Sequence, residues 1–312
     1  MGDPKQIHLT FQHPKENWPA FLGVKLDESS YDILVDESAD VFTPEGDILF
    51  RFRKKCLPKD QAAKAFDHLK KIYEISVNRG IANGRMALRT VNEPYIKKDG
   101  SLSRYNRGLG ALIAKNAQTL FGSSSIIGYV DRYPRRPYCR ETAYTAKHTQ
   151  AFHGDISRFF RSVNEQYQKM DPDRYRLQQE VVNRTSPDFV IRGTSYTTVT
   201  VNQSFQTAVH TDQGDLKAGL SNILVLRQGK FSGGHLVFPH YRAAVRLDSL
   251  DLMCFDSHHM HGNTPIVGVP GSFRRLSCVL YYRERMQDCG SAAEELERAK
   301  RRKLGDKLHG KI

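Results

Sequence analysis

Apolar residues along this chain fall into two rhythms. Short alternating or continuous apolar runs, bounded by Pro, Gly and acidic turns, recur through residues 1–57 (IHLTF, YDILV, ILFRFR). They return between Tyr196 and Arg283 (TTVTVN, SNILVL, GGHLVF, DLMCF, RLSCVLYY). Both stretches predict β-strands. Between them the period lengthens. Residues 58–80 predict a helix, with Asp60 as a candidate cap, Phe66, Leu69 and Tyr73 on one face, and Gly80 as a stop. Residues 155–182 predict one or two helices broken at Asp171-Pro172, because the residue before a proline avoids helical geometry. The tail is acidic first and basic last, which suits either a short helix matched to its own dipole or a frayed basic end. The pattern divides the chain into an N-terminal elaboration (1–84), a core domain (85–286, most informative over 185–285) and a charged basic tail (287–312).

Composition narrows the class. With 39% hydrophobic and 26% charged residues in 312, the chain reads as an ordinary globular protein with enough length for a sizeable core. No apolar run reaches the roughly 18–20 residues that span a bilayer, so no membrane association is expected. The first residues lack the basic-then-apolar layout of a secretory signal and the Ser/Thr of a myristoylation site. An intracellular location is expected, nuclear in a eukaryote or in the host cytoplasm for a phage or bacterial protein. Five cysteines, an odd number with no Cys-x-x-Cys pair, argue against a disulfide framework and against a zinc cluster.

The formal charge of +13 favours a polyanionic partner, nucleic acid first. Two Arg/Tyr-rich loops sharpen that expectation. One spans 81–115 and contains Arg89 and Arg104; the other, DRYPRRPYCRETAYTAKHTQ, contains Arg135, Arg136 and Tyr138. Arginine presents a planar fork to phosphate and tyrosine stacks on bases, so these five residues are candidate substrate contacts.

The candidate chemistry lies between Tyr196 and Arg283. His210 and Asp212 are two apart after a strand-like run, so both side chains point to one side of an extended chain. A third ligand from a distant strand would complete two histidines and one carboxylate on one face of an iron ion, leaving positions open. His258, His259 and His261 compete for that role. His261 is preferred because the GNTP after it fixes a turn at a strand end. Arg275 opens the apolar run LSCVLYY. A buried arginine there needs a carboxylate partner, which a dicarboxylate co-substrate supplies, and Ser277 faces the same side. Arg274 is the competing anchor. Asp215 and Asn222 follow the metal strand and could meet the Watson–Crick edge of a pyrimidine.

The blocks HTDQGD, GGHLVFP, FDSHHMHGNTP and RLSCVLYYR resemble the TET/JBP family of iron(II)/2-oxoglutarate dioxygenases, closest to its thymine hydroxylase branch and similar phage enzymes. The resemblance covers about residues 185–285. It implies an α+β fold with a double-stranded β-helix core (jelly-roll, cupin-like) flanked by helices. It implies Fe(II) on His210, Asp212 and His261, and 2-oxoglutarate paired with Arg275 and Ser277. O2 would be the oxidant and ascorbate a reductant. It further implies a monomer that hydroxylates the 5-methyl group of a pyrimidine in DNA, flipped or single-stranded, with 5-methylcytosine ahead of thymine. The cysteine-rich zinc region of animal TET proteins and the modified-base-binding domain of JBP proteins have no counterpart in these blocks. A prolyl-hydroxylase-like or repair-type oxygenase, or a catalytically silent nucleic-acid-binding barrel, are the alternatives.

Overall fold

The computed structural model describes residues 3–72, 75–76, 80–84, 122–134 and 136–308. Strand alternation sorts them into layers. A ten-stranded sheet runs in the spatial order β1 (Lys5–His8), β3 (Ala39–Phe42), β4 (Ile48–Arg53), β13 (Leu252–Phe255), β9 (Ser221–Gln228), β16 (Arg274–Tyr281), β8 (Thr198–Gln203), β6 (Gly122–Val130), β5 (Ile75–Ser76), with β7 (Arg140–Glu141) paired to β6. A four-stranded sheet of β14 (Gly262–Asn263), β11 (Leu236–Phe238), β12 (Ala243–Val245) and β2 (Ile33–Val35) lies opposite. A short ribbon joins β10 (Ser232–Gly233) to β15 (Ile266–Val267). Pairing is antiparallel except for β1 with β3 and β12 with β2.

The central strands are buried on both faces, and each face has its own partner. On β9, Ile223 and Val225 point between the sheets, where they meet Phe50, Phe52, Met253, Phe238 and Val245. Leu224 and Leu226 point the other way, with Val199, Val201, Cys254, Leu276 and Cys278. They pack against α1 (Lys59–Leu69) and α2 (Ser157–Met170) through Ala65, Leu69, Phe159, Phe160 and Val163. This is the expected α+β architecture: a jelly-roll of two facing sheets, with helices on the outer face of the larger one. The N-terminal strands β1, β3 and β4 extend the large sheet and β2 closes an edge of the small one, so the elaboration is built into the core.

The helix break at Asp171-Pro172 falls as expected. α3 (Pro172–Val182) starts with proline at its first turn and Asp171 as its cap, accepting from Arg174 N at 3.0 Å. The same carboxylate accepts from Arg51 Nε at 2.8 Å, and Arg51 Nη1 also reaches Asp40 at 2.7 Å. The helix junction is thereby tied to β4.

Three expectations need correction or completion. The helix foreseen over 58–80 stops at Leu69, has no side-chain cap, and gives way to Ile75–Ser76, which pair with Ser123 and Gly122. Sheet pairing around the β-branched Ile75 overrides the helical spacing. The tail is helical: α4 spans Ala292–Leu308. A disulfide joins Cys139 to Cys289, 150 residues apart. No spacing rule finds a pair so distant; the fold brings their Cα atoms to 5.9 Å. Cys254 and Cys278 are buried free thiols, as expected of small apolar side chains. No helix among the described residues is long and apolar enough to cross a membrane.

Phe50 and Phe238 stack at 5.5 Å between the facing sheets and are fully buried. Phe50→Ala is expected to lower unfolding free energy by about 3–5 kcal/mol in urea titrations. A loss below about 1 kcal/mol would mean the sheets are not held together there.

Candidate metal and co-substrate site

His210 and His261 sit directly opposite each other on two antiparallel segments and exchange both backbone hydrogen bonds, each 2.9 Å. That makes them a hydrogen-bonded cross-strand pair, whose side chains share a face. Asp212, two residues beyond His210, returns to the same face, and its N–H donates to Ser257 O at 3.0 Å. One ligand atom from each of the three lies within 4.8 Å of the others, the only such cluster among the described residues.

The two rings are turned by their own backbones. His210 Nδ1 is 2.8 Å from Ala208 O, and His261 Nδ1 is 2.8 Å from His259 O. A carbonyl can only accept, so Nδ1 carries a proton in each ring, and Nε2 is the atom left to bind a metal. Those Nε2 atoms face Asp212 at 3.7 and 3.6 Å, too far for hydrogen bonds but suited to a shared ion. Burial pushes the His261 imidazole down to about 4, with His210 adding to the effect, so the ring is neutral as a metal ligand must be. Phe255 meets it edge-on at 5.2 Å. Two oriented imidazoles and a carboxylate on one face fit a ferrous ion with open positions. His258 instead binds Asp256 Oδ1 through Nδ1 at 2.9 Å, and His259 Nδ1 lies 3.1 Å from the Tyr241 hydroxyl. Neither joins the cluster.

A cavity of about 320 Å3 opens beside these residues. One of its walls is a pleat face of the large sheet: Ser277, Val279 and Tyr281 on β16, Thr200 and Asn202 on β8. Arg275 begins the same stripe, one pleat deeper than Ser277, while Arg274 occupies the alternate face. Arg275 is 1% exposed. Its Nη2 donates to Gly234 O at 3.0 Å, and no carboxylate among the described residues is within ion-pair distance. Burial, helped by Arg227, pushes it down to about 10, so it stays charged near neutrality. Gly234 has φ +70°, and a Cβ there would lie 3.0 Å from Arg275 Nε. The Gly-Gly hairpin exists partly to let backbone approach this guanidinium. A buried cation with one carbonyl partner is a receptor for a carboxylate.

The substrate candidates separate. Asp215 lies on the cavity wall; its Oδ2 accepts from Ser221 Oγ at 2.5 Å and Ser257 Oγ at 3.0 Å. Burial, with Asp212 nearby, pushes its carboxyl up to about 8. Asn222 does not line the cavity, which corrects the expectation. It occupies the helix-facing pleat of β9, donates to Leu220 O at 3.0 Å and accepts from Cys254 Sγ at 3.0 Å. Asn222 and Ile223 are adjacent, so only one of them can face the cavity, and Ile223 does. Arg136 is exposed and Tyr138 half-buried, on a loop that begins at Asp131, whose carboxylate accepts from the cavity-lining Arg283. Arg89, Arg104 and Arg135 lie outside the described residues. Sequence reading overlooked Thr200, Asn202, Tyr281 and Arg283, which line the cavity. The signal was present: stepping by two from Ser277 reaches Val279, Tyr281 and Arg283.

Residues 125–284, just over half of the chain, match the family model Tet_JBP, described as the oxygenase domain of the 2OGFeDO superfamily. Among curated proteins, the chain is similar to the bifunctional helicase and thymine dioxygenase JBP2 of Trypanosoma brucei brucei. The two are 33% identical over 188 residues, covering 60% of this chain and 17% of that protein. It is 38% identical over 186 residues to the thymine dioxygenase JBP1 of Leishmania braziliensis, covering 58% of this chain and 22% of that one. The chain thus spans about a fifth of the length of these relatives. Among solved structures it resembles NgTET1 in complex with 5mC DNA, with TM-score 0.54 and 12% identity over 87% of this chain and 86% of that one. At that identity the likeness is one of fold.

Asp212→Ala is expected to abolish ferrous-ion binding measured anaerobically by calorimetry; undiminished binding would remove Asp212 from the ligand set. Arg275→Ala is expected to weaken 2-oxoglutarate by about 2–5 kcal/mol, some 30-fold or more, because it truncates one side of a buried charge pair. Unchanged affinity would return the anchor to Arg274.

Proposed function

Because the chain belongs to the Tet_JBP family of oxygenase domains in the 2OGFeDO superfamily, we propose that it is an Fe(II)/2-oxoglutarate-dependent dioxygenase that hydroxylates the 5-methyl group of a pyrimidine base in DNA. The observation that carries the reading is the cavity lined by His210, Asp212, His261 and Ser277, with a buried, carboxylate-free Arg275 two residues from Ser277 on the same strand face. Bound iron with 2-oxoglutarate and O2 supplies the oxidising power, which no side chain of this chain could.

The chain's own residues supply position. His210 and His261 present Nε2 atoms whose directions are fixed by Ala208 O and His259 O, and Asp212 adds the carboxylate. Arg275 holds the far carboxylate of the co-substrate, with the Ser277 hydroxyl beside it, so that the other end reaches towards the histidines. Phe255, Ile223 and Leu236 line the cavity with apolar surface and keep water from the reacting methyl. Asp215 has one oxygen occupied by two serine hydroxyls, and Oδ1 is left for the edge of a base.

A cavity of this size admits a single base and excludes a duplex. The substrate is therefore flipped or single-stranded, at a cost of a few kcal/mol that the cavity contacts offset. Arg136 and Tyr138, exposed or half-exposed on the Asp131 loop, would hold the strand beside it. Thymine now ranks ahead of 5-methylcytosine, because the relatives at 33% and 38% identity are thymine dioxygenases while the 5mC-bound neighbour shares 12%.

The test is nucleoside mass spectrometry after reaction of the ferrous protein with 2-oxoglutarate, air and DNA that carries 5-methylcytosine beside thymine. 5-Hydroxymethyluracil is the expected product. 5-Hydroxymethylcytosine would move the substrate to the other base. Succinate at the uncoupled background, with both bases unchanged, would overturn a DNA methyl as the target.

A further inference from the structure

Outside the cavity, a cluster of cations and tyrosines lies on the loop that begins at Asp131. Arg283 lines the cavity and donates through Nε to Asp131 Oδ1 at 2.7 Å, so the loop begins where the β16 stripe ends. Tyr133 and Arg136 then close a tight turn with two backbone hydrogen bonds of 3.1 and 2.8 Å, and the chain returns as β7 beside β6. The Arg140 guanidinium lies 4.9 Å from the Tyr133 ring centre and 5.9 Å from that of Tyr138. Stacking of this kind fixes the plane of the group while leaving its donor edge open. Neither Arg140 nor the exposed Arg136 has a carboxylate within ion-pair distance among the described residues; Arg140 Nη1 reaches only Tyr138 O, at 3.4 Å. Partial burial, with the Arg136 charge, pushes the Arg140 pKa down from its ordinary value, against an opposing pull from Asp131.

The loop is also fastened. Glu295 in α4 is 2% exposed and accepts from the Arg132 guanidinium, from Cys139 N at 2.8 Å and from Gly290 N at 2.9 Å. Cys139 is bonded to Cys289, and Ala292 N donates to Asp188 Oδ2 at 2.7 Å. The loop and α4 therefore form one piece. Beyond the clamp, the helix carries Arg298, Lys300, Arg301 and Arg302.

We propose that residues 131–134 and 136–140 and the basic part of α4 form one preorganised ledge for the phosphate backbone of nucleic acid flanking the base in the cavity, with Arg140 as its fixed guanidinium and Glu295 as its positioning residue. The proposal rests on the nucleic-acid reading of the function and names a contact surface for it. Charge complementarity selects the partner: planar guanidinium edges match phosphate oxygens, and tyrosine faces beside them match sugars or unstacked bases. The joint to the cavity through Asp131 and Arg283 puts the ledge where the flanking strand must leave.

The experiment is fluorescence anisotropy of a labelled DNA duplex against the full chain across a salt series. Each phosphate contact contributes about −0.9 to the slope of log affinity against log salt on duplex DNA. Arg140→Ala is expected to bind several-fold more weakly with a slope shallower by about one unit, and Arg140→Lys is expected not to rescue it, because an ammonium cannot stack as a plane. Lys300→Glu with Arg301→Glu is expected to flatten the slope further, and Glu295→Gln to flatten it without removing a cation. The visible absorbance of the anaerobic ferrous–2-oxoglutarate complex reports that each variant keeps a folded core. Unchanged affinity and slope in both Arg140→Ala and the Lys300/Arg301 double variant would overturn the proposal. So would tighter binding of poly-glutamate than of duplex at matched salt, which would assign the ledge to an acidic protein. Binding is read without turnover, so a failure of the proposed oxidation leaves this outcome separately visible.

Discussion

A guanidinium taken out of water with a single carbonyl for company is unstable unless the fold provides for an anion, and Arg275 is in that position. Much of the core is arranged around it. The Gly-Gly hairpin brings the Gly234 carbonyl within reach, the pleat of β16 puts Arg275 on the same face as the cavity-lining Ser277, Val279 and Tyr281, and the His210–His261 ladder places the candidate metal ligands on the wall of that cavity. The rest of the fold holds these strands in register. Helices α1 and α2 cover one face of the large sheet and the small sheet covers the other, so a one-residue slip of β16 would drive Arg275 into an apolar layer.

The same alternation explains what could be read in advance. Two His and one Asp at strand ends, Arg-x-Ser on an apolar run and the expected jelly-roll were all legible, because a period of two converts spacing directly into a shared face. The misses have equally local causes. Asn222 was placed one residue out of phase: on a strand buried on both faces, apolar pattern does not say which face is the cavity. The helix foreseen to Gly80 ended at Leu69 because sheet pairing at Ile75 won.

Other features depend on chain segments that meet only in three dimensions. The Cys139–Cys289 bond, the Glu295 clamp and the Arg283–Asp131 link join residues more than a hundred positions apart or across a loop, and no period announces them. Together they join a basic tail and an Arg/Tyr loop, which the sequence presents as separate segments, into one structure tied to the cavity-lining Arg283. The two arrangements are complementary. One guanidinium, Arg275, is buried inside the barrel without a carboxylate partner, and another, Arg140, lies against two tyrosine rings outside it.

The most direct test is a crystal structure grown anaerobically with Fe(II) and 2-oxoglutarate, with diffraction recorded at the iron absorption edge. The expected map has one anomalous peak bonded to His210 Nε2, His261 Nε2 and an Asp212 oxygen, with the far carboxylate of 2-oxoglutarate on Arg275. An iron peak away from these three residues, or a dicarboxylate that leaves Arg275 unpaired, would contradict the assignment at its centre.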